Sequence, residues 1–401
     1  MKEKRILNAL EQVDEKYIEE AAPAKQKSKK SVWVRWVAAA ACLCLIVGGL
    51  FAITRPNETP PITSGDLPQI SIPKYEIDGM GFEGLMYYSA EELENGNPWR
   101  EDMALETLPV FRNGSYDPSG AGVSLGLTEA EMIAELESAA KVLGLEILDT
   151  KAETNTTKSE DGTIVPGDTV YSICAITGRG NLTIYANGSL VYDLPSGYEL
   201  PEGYHFTYSN NSDSEAEATM AYLTETYAPF LNYDHPEIVL QGDYTFSGDY
   251  IRRYLVYDSG TNMTERILNY NFRAAQFAPD DSGYLMLIRI SDGLRMAKKL
   301  GDYPLISVAE AKEKLLDGQY QTSVPAAMPG EKYIAKVELV YRSGPREETL
   351  LPYYRFYVEL QDADGWQMTQ SNGLKTYGAY YVPAIQDDYI SNLSTYNGYF
   401  N

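Results

Sequence analysis

Apolar positions recur along this chain in three rhythms, and each predicts a different element. Over residues 5–20 (RILNALEQVDEKYIEE), Ile6, Leu10, Val13 and Tyr17 repeat at spacings of four, three and four, so they share one face of a helix. Glu11, Glu15 and Glu19 line the opposite face, and Pro23 closes the pattern. Next comes an uncharged run, Val37 to Ile53, which with Trp36 spans about 27 Å as a helix. Trp33 and Trp36 sit at one end of it, and the lysines at 25, 27, 29 and 30 with Arg35 precede it. The pattern predicts a single transmembrane helix over 36–53 with residues 1–35 in the cytoplasm. Five prolines between Thr54 and Pro73 predict an extended linker.

Beyond the linker, helical and alternating rhythms take turns. Thr128 and Glu131 form a capping box ahead of the stripe Met132, Ile133, Leu136, Ala140 and Leu143, which Gly144 ends. Strands are predicted over 145–150, 169–176 and 182–194, the last folded at Asn187-Gly188. A second helix starts near Ser214 with Glu217, carries Met220, Leu223 and Tyr227, and stops at Pro229. Strands over 237–246, 252–257, 270–277 and 284–291 follow. A third helix starts at Ser307 with Glu310 and carries Val308, Ala311 and Leu315, ahead of strands over 333–341, 353–360 and 377–383. The fold class expected is therefore α+β: an N-terminal cytoplasmic helix, one transmembrane helix, and an outer region of about three helix-plus-antiparallel-meander units. The layout is 1–35 tail, 36–53 span, 54–73 linker, then units over 74–200, 201–300 and 301–401.

Charge sharpens the division. Residues 1–36 hold nine Lys/Arg and six Asp/Glu, whereas the whole chain has a net charge of −24. A region that acidic repels a phosphate backbone, which argues against nucleic-acid binding. Cys42 and Cys44 lie in the apolar run and Cys174 stands alone beyond it, so no internal disulfide holds the outer region. Tyrosine is abundant, 33 against 10 Phe, and suits half-exposed strands whose hydroxyls stay wet.

Chemistry-bearing motifs are few. Gly122-Val123-Ser124-Leu125-Gly126 matches G-x-S-x-G, but a turn-rich loop precedes it and the next helix starts at Thr128, so the strand-elbow-helix context is missing. His205 and His235 lack a third ligand nearby. Asp280-Asp281 and Asp387-Asp388 read as solvated turns. No phosphate loop, dinucleotide fingerprint or EF-hand loop is present, so no cofactor, no metal and no enzyme activity are expected.

Two resemblances add to this. The stretch ALEQVDEKYIEEAAP, followed by a Lys-rich spacer and one apolar run, resembles the N-termini of clostridial membrane proteins of the anti-sigma-factor type. Ile306-Ser307-Val308-Ala309-Glu310-Ala311, Leu315-Leu316-Asp317-Gly318, Leu351-Pro352-Tyr353-Tyr354-Arg355-Phe356 and Tyr380-Tyr381-Val382-Pro383-Ala384 together resemble PepSY-like, Yyc-type regulatory proteins of two-component sensor kinases. The resemblances imply PepSY- or cystatin-like units and a non-enzymatic, membrane-anchored regulatory or sensory protein of a Gram-positive envelope. Its outer domain would bind a protein, peptide or wall ligand. Ile6, Leu10, Val13 and Tyr17 would contact a cytoplasmic sigma factor or sensor kinase. The alternative is an anchored binding or peptidase-inhibitor module without cytoplasmic signalling, and behind it an extracellular hydrolase.

Overall fold

The computed structural model describes residues 67–72, 85–88, 93, 96–116, 126–158, 164–209, 211–245, 247–324, 326–344, 346–362, 373–392 and 395–396. All belong to one compact unit, Ile62–Asn401. Its frame is a 13-stranded antiparallel sheet.

At one end of the sheet is a four-stranded meander: β3 (Ile147–Lys158), β4 (Ile164–Thr177), β5 (Asn181–Tyr185) and β6 (Leu190–Tyr198). In the middle lie β7 (Pro236–Tyr244), β8 (Tyr250–Asp258), β9 (Ala274–Pro279) and β10 (Leu285–Ile290). At the other end are β13 (Ile334–Tyr341), β15 (Pro352–Glu359) and β16 (Lys375–Pro383), with the short β12 (Gln321–Thr322) beside β16. Two seams join these groups. β10 pairs with β6, and β1 (Leu85–Tyr88) pairs with both β16 and β7. A separate three-stranded sheet of β11 (Lys298–Pro304), β2 (Thr107–Arg112) and β14 (Thr349–Leu350) contributes Val110 and Tyr303 to the core on one face of β15 and β16.

This corrects the expected fold class. The outer region is not a set of helix-plus-meander units but one dominant, continuous antiparallel sheet. The physical reason lies at the seams: an unpaired edge strand leaves a row of backbone donors and acceptors open, and here the edges of adjacent meanders bond to one another instead.

Among the described residues, five helices pack against the strands. Helix α1 (Glu129–Leu143) starts at the predicted box, with the Thr128 hydroxyl accepting from the Glu131 N–H and the Glu131 carboxylate accepting from the Thr128 N–H. Met132, Leu136, Ala139 and Ala140 are buried, and Gly144 caps the end. Helix α2 (Asp213–Thr226) uses Ser212 and Glu215, two residues upstream of the expected box. The sequence Ser-Asp-Ser-Glu-Ala-Glu holds both frames, and the earlier one yields a longer helix. The short α3 (Ala228–Leu231) follows directly. Helix α4 (Met263–Phe272), capped by Asn262, takes residues 270–272, where a strand was expected. Helix α5 (Val308–Leu316) carries the predicted Ser307–Glu310 box.

The membrane expectation is also corrected. Among the described residues no helix is long and apolar enough to cross a membrane; the longest, α1, has 15 residues, against about 20 needed to span a bilayer. This overturns the single-pass, cell-membrane localisation. The predicted span over 36–53 and the cytoplasmic tail helix over 5–20 themselves lie outside the described residues.

Candidate ligand cleft

A cleft of about 430 Å³ opens where α1, β6 and the α2–α3 junction meet. Three local irregularities build it, each written in the sequence.

The first is in β6. Asp193 faces Leu287 of β10, but the next register pair is Tyr198 with Leu285. Five residues of β6 thus oppose two of β10. The extra residues, Pro195-Ser196-Gly197 among them, bulge out and re-aim Tyr198 into the cleft. Gly197 adopts φ +68°, and a Cβ there would lie 2.9 Å from the Tyr284 ring.

The second is the turn from β4 to β5. The Thr177 hydroxyl donates to the Gly180 carbonyl at 2.6 Å and accepts from the N–H groups of Gly180 and Arg179 at 3.2 and 3.3 Å. Gly180 lies so close to β6 that a Cβ would meet the Asp193 carbonyl at 2.4 Å. The turn is therefore pinned, and it delivers Arg179 to the cleft.

The third is the break between α2 and α3. Pro229 has no N–H to continue the helix. The chain kinks at Tyr227, with φ −101° and ψ 12°, and restarts as α3 until Asn232 closes it in the left-handed region. The kink lines one wall with Thr226, Tyr227, Pro229 and Phe230. Val142 and Leu143, from the last turn of α1, form the opposite rim.

Tyrosines dominate the interior. Tyr192 is buried and meets Phe230 edge-on at 6.4 Å. Tyr227 packs against Phe277 at 6.1 Å. Tyr198 hydrogen-bonds Tyr222, whose ring stacks on Tyr204 at 4.2 Å. Burial pushes the Tyr227 hydroxyl well above its usual range, and neighbouring Tyr192, Tyr198 and Tyr222 push it further. Burial raises Tyr192 as well, with Arg179 pulling partly back. These hydroxyls stay neutral at physiological pH and act as hydrogen-bonding groups, not as bases. None of the described lining residues carries a carboxylate, imidazole or thiol. The arrangement can hold an apolar body and hydrogen-bond its polar edge.

A smaller cavity of about 210 Å³ lies beside β7 and β15. Its polar groups are engaged with one another. Gln241 donates to the Tyr270 hydroxyl at 2.6 Å, Asn271 accepts from the Tyr341 N–H at 3.0 Å, and Arg355 pairs with Glu338. That cavity is a packing feature of the core.

The residues singled out from sequence fare differently. Ile6, Leu10, Val13, Tyr17 and Ser124 lie outside the described residues. His205 and His235 are not brought together: the backbone of His205 bonds the Thr219 hydroxyl on α2, while His235 lies 3.9 Å from Asp258. Asp280 accepts from the N–H groups of Ser282 and Tyr284, as a turn residue does. No group of three or more His, Cys, Asp or Glu placed to hold a metal occurs among the described residues. Arg179, Tyr192, Tyr198 and Tyr227 escaped the sequence reading as site residues. The available signals were Thr-Gly-Arg-Gly after a strand, Pro-Ser-Gly-Tyr inside one, and the Tyr-Ala-Pro-Phe helix break. No protein-family model matches the chain, and no curated protein matches it.

Proposed function

We propose that this chain is a non-enzymatic regulatory protein that binds a peptide ligand in the tyrosine-lined cleft. The observation that carries this reading is convergence. A strand bulge, a pinned turn and a helix break, each costing regular structure, meet at one cavity whose lining offers apolar surface and neutral hydroxyls. Bulges of this kind cluster at functional sites, and a cavity of this size falls within the ordinary range for ligand pockets, about 300–1,000 Å³. In this reading the resemblance to anti-sigma-type and PepSY-like regulatory proteins suggests the output: the stripe Ile6, Leu10, Val13 and Tyr17 engages a sigma factor or sensor kinase.

The test is retention of the full chain on an array of short immobilised peptides, with and without Val142→Trp. Val142 is 46% exposed at the rim, so a larger side chain narrows the mouth without disturbing the core. Wild-type protein is expected to be retained by a subset of peptides, and Val142→Trp to lose that retention with an unchanged Tm. Equal retention of both proteins places binding elsewhere and overturns the assignment.

A further inference from the structure

The rim of the cleft is electrostatically one-sided. In a chain with 57 acidic and 33 basic residues, an arginine beside open space ordinarily finds a carboxylate. Of the eleven other described arginines, nine do so: Arg100, Arg112, Arg252, Arg253, Arg266, Arg273, Arg295, Arg342 and Arg355. Arg179 lines the cleft and forms no ion pair among the described residues. Its backbone is fixed by the Thr177 hydroxyl and by the close approach of Gly180 to β6, so the guanidinium starts from a set position. Arg179 is solvent-exposed at the mouth of the cleft, and its charge bears on the Tyr192 and Tyr227 hydroxyls inside.

Resting on the reading of this cleft as a peptide site, we infer that it takes the carboxyl-terminal end of a peptide. The terminal carboxylate sits on Arg179, and an aromatic or aliphatic last side chain packs among Leu194, Tyr227 and Phe230. The guanidinium presents a planar fork of donors that matches a carboxylate bidentately, and a charge-assisted pair of this type is strong where water is partly excluded. The apolar floor matches a side chain better than a sugar ring. A glycan needs open aromatic faces, and here Tyr204 and Tyr222 cover one another's faces while Tyr192 and Phe230 meet edge-on. The volume suits one or two residues, so the terminus enters and the rest of the peptide lies outside.

The experiment uses the full chain and two probes, N-acetyl-alanyl-phenylalanine as the free acid and as its carboxamide, titrated calorimetrically. The acid is expected to bind roughly 10–100-fold more tightly than the amide, the range a charged hydrogen-bonding partner supplies. Arg179→Gln, at an exposed turn position, should erase that preference, so that acid and amide bind the variant alike. Equal affinities for acid and amide overturn the role of Arg179 while leaving the cleft as a peptide site. Binding of neither probe, or preference for a uronic-acid oligosaccharide over both, overturns the inference and the cleft reading together.

Discussion

The two ends of the long sheet are built on different principles. In β5, burial alternates strictly: Leu182 and Ile184 are buried beneath α1, while Asn181, Thr183 and Tyr185 are only half-buried. In β16 every residue from Thr376 to Pro383 is buried. There Tyr380 and Val382 belong to the core beneath α5, and Tyr377, Ala379 and Tyr381 to a second core on the opposite face. A sheet covered on one face relies on a single layer of helices, and wherever that layer stops a cleft opens. A sheet covered on both faces has no such opening, and its cavities are closed by its own polar groups. The larger cleft accordingly lies at the one-sided end, where α1 ends and α2 breaks.

The edges differ in the same way. The free edge of β13 is capped by side chains: Asn271 accepts from the Tyr341 N–H, and Asn97 donates to the Leu339 carbonyl at 3.3 Å. β3, at the other edge, is interrupted by three register shifts and carries Asp149, Lys151 and Glu153 between them. Bulges and charges both discourage pairing with another chain.

The largest effect is expected at the doubly covered end. Glu338 is 1% exposed and pairs with both Arg355 and Lys336. Removing one member of a buried ionic cluster leaves the rest uncompensated, at about 3–5 kcal/mol. Glu338→Ala should therefore lower the urea midpoint by far more than any change at an exposed pair such as Arg100 with Asp102, which lies in the range of about 0–1 kcal/mol. Its pH signature has a definite sign. Burial pushes the Glu338 carboxyl up, but Arg355 and Lys336 outweigh it and hold it below the usual 4.5. A carboxyl depressed in the fold stabilises fully above its unfolded value and loses that contribution as pH falls through the folded one. Wild-type stability should fall on acidification below about pH 4.5, and Glu338→Ala should flatten that decline. An unchanged acid branch would show that the cluster is already neutralised in the native state.

Overpacking comes next. Ala379 is fully buried against the second core, and its carbonyl accepts from Thr322 at 3.1 Å. Ala379→Leu adds volume with no cleft to receive it and should cost about 1–3 kcal/mol. A neutral result in thermal unfolding would mean that the two-sided packing is looser than its burial implies.

These contrasts decide what the sequence made legible. The boxes Thr128–Glu131 and Ser307–Glu310 and the Asn187-Gly188 hairpin act over a few residues, and all three are in place. Helix α4 was missed because Tyr270 and Phe272 carry a strand-like signal, while its only marker was Asn262 with Glu265. The continuous sheet was illegible for a different reason. Its seams pair Leu190 with Ile290, and Tyr87 with Tyr244, far apart in the chain, and no local rhythm specifies such partners. Tyrosine also misled. Tyr354, Tyr380 and Tyr341 are buried, and each hydroxyl reaches a backbone carbonyl at 2.8 Å rather than water. The cleft depends on residues that break rhythm, Gly180, Gly197 and Pro229, and a pattern search reads those as loop punctuation.

Smaller effects belong to the helix starts. Thr128→Ala removes the acceptor for the Glu131 N–H above the one-sided end, and Ser307→Ala does the same at the two-sided end. Each should cost about 1 kcal/mol. Because caps act locally, the two values should agree despite the different surroundings. A gap of more than about 1 kcal/mol between them in denaturant titrations would show that the layers amplify a local loss.

The smallest expected effect gives the sharpest separation of the two ends. Thr183 sits between Leu182 and Ile184 on β5 and points to the face opposite α1, where it is half-buried in register with Cys174 and Val191. Thr183→Ala trades a modest loss of strand propensity against no loss of core contact. On a lightly packed face such changes stay within about 0.5 kcal/mol. From Thr376 to Pro383 of β16 no equivalent position exists, because both faces there are core. If Thr183→Ala instead lowers the denaturant midpoint by as much as a core truncation, roughly 2 kcal/mol or more, then this face is covered in solution, and the one-sided description of that end fails.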